Sequence, residues 1–304
     1  MVSGATETTG FCLNNGQTLK GRDKRPLVRE LNMRLLPKLA GLASLGMAAP
    51  VFADALEKIG IPQPAGTGFQ LAVTPNAIEA QGLDHMLLII CTVIVLFVTA
   101  LLGFVAFRFS AKRNPVPAKF THNTPVEIAW TLIPIVILVF IGSFSLPALF
   151  HQEEMPVADL TLKITGNQWY WSYEYPDAGV AFDSILLDKD KLEAAGYAPS
   201  DYLLAVDNPV IVPVNKNVVV LLTASDVMHA WAVPAFATMH SAVPGRLGQL
   251  WFRAEKEGVY FGQCTTLCGQ GHAYMPIEVK VVSQEAYDAW LAGAKTGNYT
   301  LASN

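Results

Sequence analysis

Two long apolar runs dominate the pattern of hydrophobic and polar positions in the first half of the chain. One covers residues 86–107 and the other residues 128–150, and neither contains a charged side chain. A helix needs about 20 apolar residues to cross the hydrocarbon core of a bilayer. Because helices of soluble proteins usually have a polar face, the two runs predict a pair of transmembrane helices.

The loop between these runs is basic and predicts their orientation. No acidic residue occurs between Arg108 and Glu127. Since basic loops stay in the cytoplasm under the positive-inside rule, both flanks of the hairpin are expected on the opposite side of the membrane. The basic residues of the loop are Arg108, Lys112, Arg113 and Lys119.

A helix-start signal precedes the second run, in "THNTPVEIAW". Thr124 is expected to be the N-cap, with Pro125 at the first helical position and Glu127 as the acidic member of a capping box. This pattern gives Glu127 a structural role before any functional one.

After Phe150 the hydrophobic period changes from that of a helix to that of a strand. In "DLTLKIT", Leu160, Leu162 and Ile164 alternate with polar residues, as in a strand with one buried face. Asn, Gly and Pro separate four further strand-like runs, "VIVPVNKNVVVLLTA", "GQLWFRA", "GVYFGQ" and "IEVKVVS". Together they predict an antiparallel β-sandwich or barrel.

Two segments of this half are expected to be helical. The charged segment "LDKDKLEAAGYAPS" interrupts the strand pattern and is predicted to be partly helical. Near the C-terminus, Ser283 is expected to cap a helix in "QEAYDAWLAGAK".

The N-terminal 53 residues have the pattern of a targeting segment. A basic stretch ending at Lys38 precedes the uncharged "LAGLASLGMAAPVFA", and small residues allow cleavage before Asp54. We expect residues 1–53 to be removed as a signal, with Met33 an alternative start of translation. The predicted remainder is an extracytoplasmic segment at 54–83, a transmembrane hairpin at 84–150 and an extracytoplasmic domain at 151–304.

Composition and charge narrow the possible functions. Of the 304 residues, 52% are hydrophobic and 15% are charged, which is apolar for a soluble protein. The net charge of −4 hides an asymmetry, because residues 151–304 carry nine basic and seventeen acidic side chains. Such an acidic domain repels nucleic acid and attracts a basic protein partner. Nucleic-acid binding is therefore not expected.

Candidate metal ligands are concentrated in "FGQCTTLCGQGHAYMP". Cys264, Cys268, His272 and Met275 bring two thiols, an imidazole and a thioether onto one loop. A disulfide is the competing interpretation, because these are the only two cysteines expected in an oxidising compartment. Zinc seldom recruits methionine, whereas copper accepts all three donor types. Two thiolates would also suffice to bridge two copper ions.

A second imidazole would have to come from elsewhere in the chain. His229, in "ASDVMHAWAVPAF", lies at the end of a strand-like run, and His240, in "TMHSAVPGR", is its rival. His151 directly follows the second apolar run, far from any predicted sheet. The spacing favours His229 over His240 without deciding between them.

These motifs carry a resemblance to a known family. The chain resembles subunit II of the haem–copper cytochrome c oxidases, closest to the bacterial type. The matching segments cover most of residues 84–292. They are "FTHNTPVEIAWTLIPIVIL", "GNQWYWSYEYP", "LLAVDNPVIVPV", "SDVMHAWAVPAF", "AVPGRLGQLWF" and the cysteine loop.

The resemblance implies a cupredoxin-like Greek-key domain that holds a dinuclear copper centre, copper A. Such a subunit accepts electrons from cytochrome c and passes them to a haem in subunit I. There oxygen is reduced to water, and the reaction is coupled to proton translocation. No C-x-x-C-H motif occurs in the chain, so no haem is expected on it.

A ligand set for two copper ions also follows from the resemblance. The thiolates of Cys264 and Cys268 would bridge both ions. One ion would be completed by His229 and Met275, and the other by His272 and a backbone carbonyl, that of the residue two positions after the first cysteine.

That carbonyl belongs to Thr266, which departs from the family pattern. The family commonly has a glutamate at this position, and its carboxylate also binds magnesium at the boundary with subunit I. Since a hydroxyl is a poor substitute for an anionic oxygen on a hard cation, we expect the magnesium site to be weakened or absent.

Further roles implied by the resemblance fall outside the cysteine loop. Trp169 would be the point where electrons enter beneath the docked cytochrome, and Glu127 the entrance of a proton pathway into subunit I. The strand period instead makes Trp169 a core residue, on one face with Trp171, Tyr173 and Tyr175. Four acids would meet the basic cytochrome: Glu174, Asp183, Asp207 and Asp226.

The expected partners and location follow from the same resemblance. They are subunit I, subunit III, cytochrome c and the lipid bilayer of the bacterial inner membrane, with the C-terminal domain in the periplasm. The alternative function is a copper-delivery or assembly protein with the same fold. A quinol oxidase subunit should lack the copper ligands that this chain has.

Overall fold

The membrane-spanning part is a pair of long helices. A computed structural model of the chain describes residues 56–301, so the predicted targeting segment lies outside the described residues. Within that range, two helices are long and apolar enough to cross a bilayer, α1 (Pro75–Arg108) and α2 (Thr124–Glu153). Each contains one predicted apolar run and extends beyond it, α1 by about three turns at its start.

The start of α2 corrects one prediction and confirms another. Thr124 is the first residue of the helix and Asn123 is the N-cap, so the predicted cap is wrong by one position. The Asn123 side chain accepts a hydrogen bond from the backbone N–H of Val126 at 3.3 Å. The backbone N–H of Asn123 donates to Glu127 Oε1 at 3.2 Å. Glu127 therefore has the expected capping role with a different partner.

The outer surfaces of α1 and α2 are apolar and have little contact with the rest of the chain. The most apolar window of α1 has no buried residue, and that of α2 is 6% buried. Because so large an apolar surface is unfavourable in water, lipid or neighbouring membrane subunits must cover it. This confirms the predicted transmembrane hairpin.

The rest of the described chain forms a β-sandwich. Its strands are β1 (Lys58–Gly60), β2 (Leu160–Asn167), β3 (Tyr170–Tyr175), β4 (Val180–Ser184), β5 (Val210–Pro213), β6 (Val218–Ala224), β7 (His229–Val233), β8 (Thr238–Ala242), β9 (Gly248–Phe252), β10 (Gly258–Cys264) and β11 (Pro276–Val282). One sheet has the order β5-β11-β10-β7-β8, with β1 paired to β10, and the other has the order β4-β3-β2-β6-β9.

The predicted strands are present, but the two sheets are mixed and not purely antiparallel. Leu160, Leu162 and Ile164 are buried on one face of β2, as their alternation predicted. However, β2 pairs with β6 in parallel, and β5 pairs with β11 in parallel. The reason is that the run "VIVPVNKNVVVLLTA" supplies one strand to each sheet. A chain that crosses between sheets pairs strands that are distant in sequence.

The predicted helix in "LDKDKLEAAGYAPS" is wrong. This segment forms turns, followed by one short 3-10 helix at Pro199–Asp201. Its four charged residues near the start, and the glycine and proline near the end, leave too few good helix formers in a row. The terminal helix α3 (Gln284–Ala294) is present, and Ser283 caps it as predicted.

Residues 56–83, the described part of the predicted extracytoplasmic segment, pack against the sandwich. Within this segment, β1 joins the sheet beside β10, and α1 begins with its first turns against the sandwich. Thr74 Oγ1 donates to the carbonyl of Phe236 at 2.9 Å and accepts from the N–H of Ala77 at 3.0 Å. The helix therefore starts on the surface of the sandwich and continues into the membrane.

Candidate metal centre

Two neighbouring strands carry the first candidate ligands to one end of the sandwich. β7 begins at His229 and β10 ends at Cys264, and the strands are antiparallel, with Trp231 opposite Cys264. The start of one strand and the end of the other therefore meet. The loop from β10 to β11 supplies the remaining candidates, Cys268, His272 and Met275.

The Cys268 thiol is at the centre of the loop. Its Sγ lies 3.9 Å from Cys264 Sγ, 3.5 Å from His272 Nδ1 and 3.5 Å from Met275 Sδ. Metal bonds of about 2.0–2.3 Å at tetrahedral angles place donor atoms roughly 3.3–3.8 Å apart. The loop therefore already has the spacing of atoms that share a metal ion.

The Cys264 thiol connects this loop to β7. Its Sγ lies 4.0 Å from His229 Nδ1 and 3.3 Å from the backbone carbonyl oxygen of Thr266. Donor atoms of His229, Cys264 and Cys268 all lie within 4.8 Å of one another. All the side chains predicted as ligands, and the predicted carbonyl, thus come together in one place.

The candidate centre is largely buried, and neither of its thiols is in a disulfide bond. Cys264 and Cys268 are each 5% exposed, Met275 is 1% exposed and His229 is fully buried. Burial, followed by the nearby Cys264 thiol, raises the pKa of Cys268 to about 12. Because a thiol must lose its proton to bind a metal, a metal that binds here displaces that proton.

Asp226 fixes the orientation of the His229 ring. His229 Nε2 donates to Asp226 Oδ1 at 2.9 Å, which leaves Nδ1 facing Cys264. Partial burial raises the pKa of Asp226, but hydrogen bonds from His229, Val227 and Gln168 outweigh it and hold that pKa below its usual value. Sequence reasoning assigned Asp226 to the docking surface and missed this contact.

Trp169 lies beside the candidate metal centre and outside the strand core. β3 begins at Tyr170, so Trp169 precedes it and is 36% exposed, whereas Trp171, Tyr173 and Tyr175 are buried. The prediction that Trp169 shares their core face is wrong. The chain turns before β3 starts, and this turn directs the indole towards the cysteine loop.

The Trp169 ring is packed closely against that loop. Its Nε1 donates to the carbonyl of Cys268 at 3.4 Å. A Cβ atom at Gly271 would overlap the ring, so glycine is required for this approach. The indole nitrogen thus contacts the backbone of a candidate ligand, while part of the residue remains exposed.

Exposed apolar side chains directly precede three of the candidate ligands in sequence. Leu267 is 80% exposed, Met228 is 53% exposed and Tyr274 is 51% exposed. They precede Cys268, His229 and Met275, respectively. An exposed apolar group of this kind is typical of a surface that another protein covers.

The other predicted docking acids lie in β3, β4 and the loop before β5. Glu174 pairs with Lys163 at 2.7 Å. The carboxylate of Asp183 accepts from Ser172 Oγ at 2.6 Å. Asp207 accepts from the backbone N–H of Ile185 at 2.7 Å, so all three carboxylates have partners within the chain.

The remaining candidates lie away from the centre. His240 is in β8, and His151 is in α2, where its Nδ1 is 3.2 Å from Glu79. Neither belongs to the cluster of His229, Cys264 and Cys268.

Glu127 lies in a groove at the other candidate site, in the first turns of α2. This open groove has a volume of about 310 Å³ and is lined by Thr124, Glu127, Ile128, Thr131 and Leu132.

Comparisons with known proteins identify relatives over most of the chain. The family pattern "Cytochrome C oxidase subunit II, periplasmic domain" matches residues 160–282, and "Cytochrome C oxidase subunit II, transmembrane domain" matches residues 62–148. The chain is 54% identical over 278 residues to cytochrome c oxidase subunit 2 of Cereibacter sphaeroides, covering 87% of this chain and 91% of that protein. It is 47% identical over 249 residues to a probable cytochrome c oxidase subunit 2 of Rickettsia bellii, covering 80% and 91%.

A solved structure is similar to the C-terminal domain. It is the periplasmic domain of subunit II of cytochrome oxidase of Bradyrhizobium japonicum. The sequences are 46% identical, and the alignment covers 48% of this chain and 100% of that domain, with a TM-score of 0.44.

Proposed function

Because the chain belongs to the cytochrome c oxidase subunit II family, we propose that it holds a dinuclear copper centre that takes electrons from a cytochrome c. The chain is an inner-membrane protein with a periplasmic C-terminal domain, and it works within a haem–copper oxidase complex. We infer that it delivers the electrons to the haem of subunit I. The observation that carries the proposal is the convergence of the two thiols with His229.

The donor set supports copper over other metals. Two thiols, two imidazole nitrogens and one thioether are soft or intermediate donors, and a methionine among them argues against zinc. Two copper ions bound to the shared thiolates would supply a centre that gains and loses one electron. The proposed ligands are His229, Cys264, Thr266 through its carbonyl, Cys268, His272 and Met275.

The protein's own contribution is to hold these donors in place and to exclude water. Cys264 and His229 lie on paired strands, so their separation is fixed by the sheet and does not depend on a flexible loop. Met275 and both thiols are almost fully buried. A rigid, dry site limits rearrangement of the donors when the charge of the site changes.

Trp169 is the proposed point of electron uptake. The residue is partly exposed, so a partner could reach it, and its Nε1 donates to the carbonyl of Cys268. An electron that reaches the indole would therefore be one hydrogen bond from a proposed ligand residue. The acidic C-terminal domain would attract the basic cytochrome, with Glu174, Asp183 and Asp207 as proposed contacts.

Two further assignments concern proton and magnesium sites. Glu127 lies in the groove at the start of α2, on the cytoplasmic side that the basic loop predicts, and we assign it to the entrance of the proton pathway into subunit I. Thr266 offers no anionic oxygen, so the magnesium site at the boundary with subunit I should be weak or absent. Metal analysis of the assembled oxidase is expected to find less than one magnesium or manganese ion at this boundary.

The remaining assignments concern processing and partners. We assign residues 1–53 to a cleaved targeting segment, with the hairpin at 84–150 and the copper domain at 151–304. Subunit III is a further proposed partner. The N-terminal sequence of the mature chain tests the cleavage, and copurification with subunit III tests the partner.

Metal content and electron paramagnetic resonance of the full chain test the proposed centre. The chain would be purified in detergent and loaded with copper. We expect two copper ions per chain and hyperfine structure from one electron shared equally by both nuclei. One copper ion with a localised electron would contradict the proposal and would favour a copper-delivery protein.

A further inference from the structure

We propose that Gln168 and Asp226 are positioning residues that hold the two ligand loops and Trp169 as one hydrogen-bonded unit. The inference rests on the proposed copper centre. It gives Asp226 a role different from the docking role that the family resemblance implies. The hydrogen bonds that support the inference join three segments of the chain that are far apart in sequence.

The first part of this unit is the carboxylate of Asp226. Its Oδ1 accepts from His229 Nε2 at 2.9 Å and from the backbone N–H of Val227 at 2.6 Å, and its Oδ2 accepts from the backbone N–H of Gln168 at 2.7 Å. Since a carboxylate only accepts, His229 must carry its proton on Nε2. The lone pair of Nδ1 is then directed at Cys264 and available to a metal.

The second part is Gln168, which connects this carboxylate to the cysteine loop. Its backbone N–H donates to Asp226, and its side-chain Nε2 donates to the carbonyl of Cys268 at 2.9 Å. Trp169 follows directly and donates to the same carbonyl. One dipeptide therefore contacts both loops that carry the proposed ligands.

A parallel contact strengthens this connection. Asn167 Oδ1 accepts from Ser225 Oγ at 2.6 Å, and Asn167 Nδ2 donates to Ser172 Oγ at 3.0 Å. Asn167 is 8% exposed, so its polar atoms depend on these partners. The pairs Asn167–Ser225 and Gln168–Asp226 thus join the same two segments at consecutive positions.

The effect on the metal follows from the chemistry of a histidine ligand. A carboxylate that accepts from the distal nitrogen fixes the ring and makes the other nitrogen a stronger donor. Asp226 should therefore strengthen the bond from His229 Nδ1 and favour the oxidised site.

The test replaces Asp226 by asparagine and compares it with a matched loss of charge. Asp226→Asn keeps the size of the side chain but places an N–H₂ group against either His229 Nε2–H or the Gln168 N–H. Asp207→Asn removes the same charge from another predicted docking acid, which also accepts from backbone N–H groups, those of Ile185 and Asn208, but touches no residue of the proposed unit. Both variants are made in the full chain, and the probe is copper alone.

We expect Asp226→Asn to weaken copper binding by about 10–100-fold, as for other residues that orient metal-bound histidines. It should also raise the midpoint potential and alter the copper hyperfine pattern. Asp207→Asn should leave all three unchanged. The inference would be overturned if Asp226→Asn kept the wild-type copper affinity, midpoint potential and hyperfine pattern while both variants associated more slowly with the cytochrome. Asp226 would then be a docking acid only.

A second variant keeps the charge and tests the link to Cys268. Gln168→Met has a similar shape, loses the side-chain donor and keeps the backbone N–H, so it should change the hyperfine pattern in the same direction as Asp226→Asn. Because both residues act in one unit, the double variant should lose less affinity than the product of the two single losses. Independent, multiplicative losses would overturn the inference.

The unsubstituted chain separates this inference from the proposed function. If the wild type shows two coppers and a shared electron while neither variant differs from it, only the positioning role fails. If the wild type itself shows no shared electron, the proposed function and the inference fail together.

Discussion

At the scale of single residues, the contact between Trp169 and Gly271 decides how closely the indole approaches the metal loop. Gly271 lies between Cys268 and His272, and the ring occupies the space where any Cβ atom would be. The absence of a side chain at Gly271 is therefore as important for this close approach as the Trp169 ring itself. An added methyl group should therefore move the indole, the proposed point of electron uptake, away from the loop.

Gly271→Ala tests this contact. The added methyl group overlaps the Trp169 ring, and overpacking of this kind typically costs about 1–3 kcal/mol. We expect a lower unfolding free energy and slower electron uptake from reduced cytochrome c. Thermal unfolding and rapid mixing are the measurements. Gly68→Ala is the control, because nothing lies within 4 Å of the Cβ position there, and equal effects of both changes would contradict this account.

Residue types revealed the donors but not the geometry around them. The chemistry of thiol, imidazole and thioether was enough to propose a soft-metal site. The link from Gln168 to Asp226 could not be predicted, because the two residues lie 58 positions apart in the sequence. The strand period placed Trp169 in the core because a period of two shows which face a residue takes but not where the strand begins.

At the scale of elements, a buried polar cluster attaches one segment to a strand. The charged segment that precedes β5 is held against β11. Glu278 on β11 is fully buried, and burial raises its pKa. Its Oε1 accepts from Tyr197 Oη at 2.5 Å, and its Oε2 from the backbone N–H of Val206 at 3.1 Å. Lys280 Nζ lies 3.6 Å from the same carboxyl group. A segment without regular secondary structure is thus fixed to the strand that follows the metal loop.

Tyr197→Phe should loosen this attachment. The Glu278 carboxyl group loses a donor in a place that water does not reach, and such a loss costs about 1–3 kcal/mol. The unfolding free energy from chemical denaturation should fall by that amount. Tyr202→Phe is the matched control, since its hydroxyl has no hydrogen-bond partner among residues 56–301. An unchanged Tyr197→Phe variant would mean that the Glu278 contact contributes nothing.

Periodicity predicted which elements exist but not how far they extend or how they pair. The apolar runs located both helices because their composition alone requires a membrane. The extra turns at the start of α1 depend on tertiary contacts of Thr74 with Phe236, which hydropathy does not record. The parallel pairing of β2 with β6 likewise depends on which sheet each strand joins.

At the scale of the whole molecule, charge is separated across the predicted membrane. Residues 151–304 have a balance of −8, while the loop between α1 and α2 is basic. The basic loop orients the hairpin, and the acidic domain faces the periplasm, where a basic cytochrome would approach. Long-range attraction of this kind is screened by salt over a Debye length of about 10 Å at 0.1 M.

Ionic strength should therefore control cytochrome association more than electron transfer within the complex. Asp183→Asn is expected to lower the second-order rate and to reduce its dependence on salt. Glu255→Gln removes the same charge beside the start of α1, where the Glu255 N–H donates to the carbonyl of Val73, and should have a smaller effect. Stopped-flow mixing across a salt series measures both, and equal slopes for the two variants would argue against the assigned docking surface.

Rapid mixing of reduced cytochrome c with the assembled oxidase follows the order in which the redox centres are reduced. We expect the copper centre of this chain to be reduced before the haem of subunit I. Trp169→Phe should slow that first phase while the copper content stays unchanged. Reduction of the haem before the copper centre, or a first phase unaffected by Trp169→Phe, would contradict these expectations.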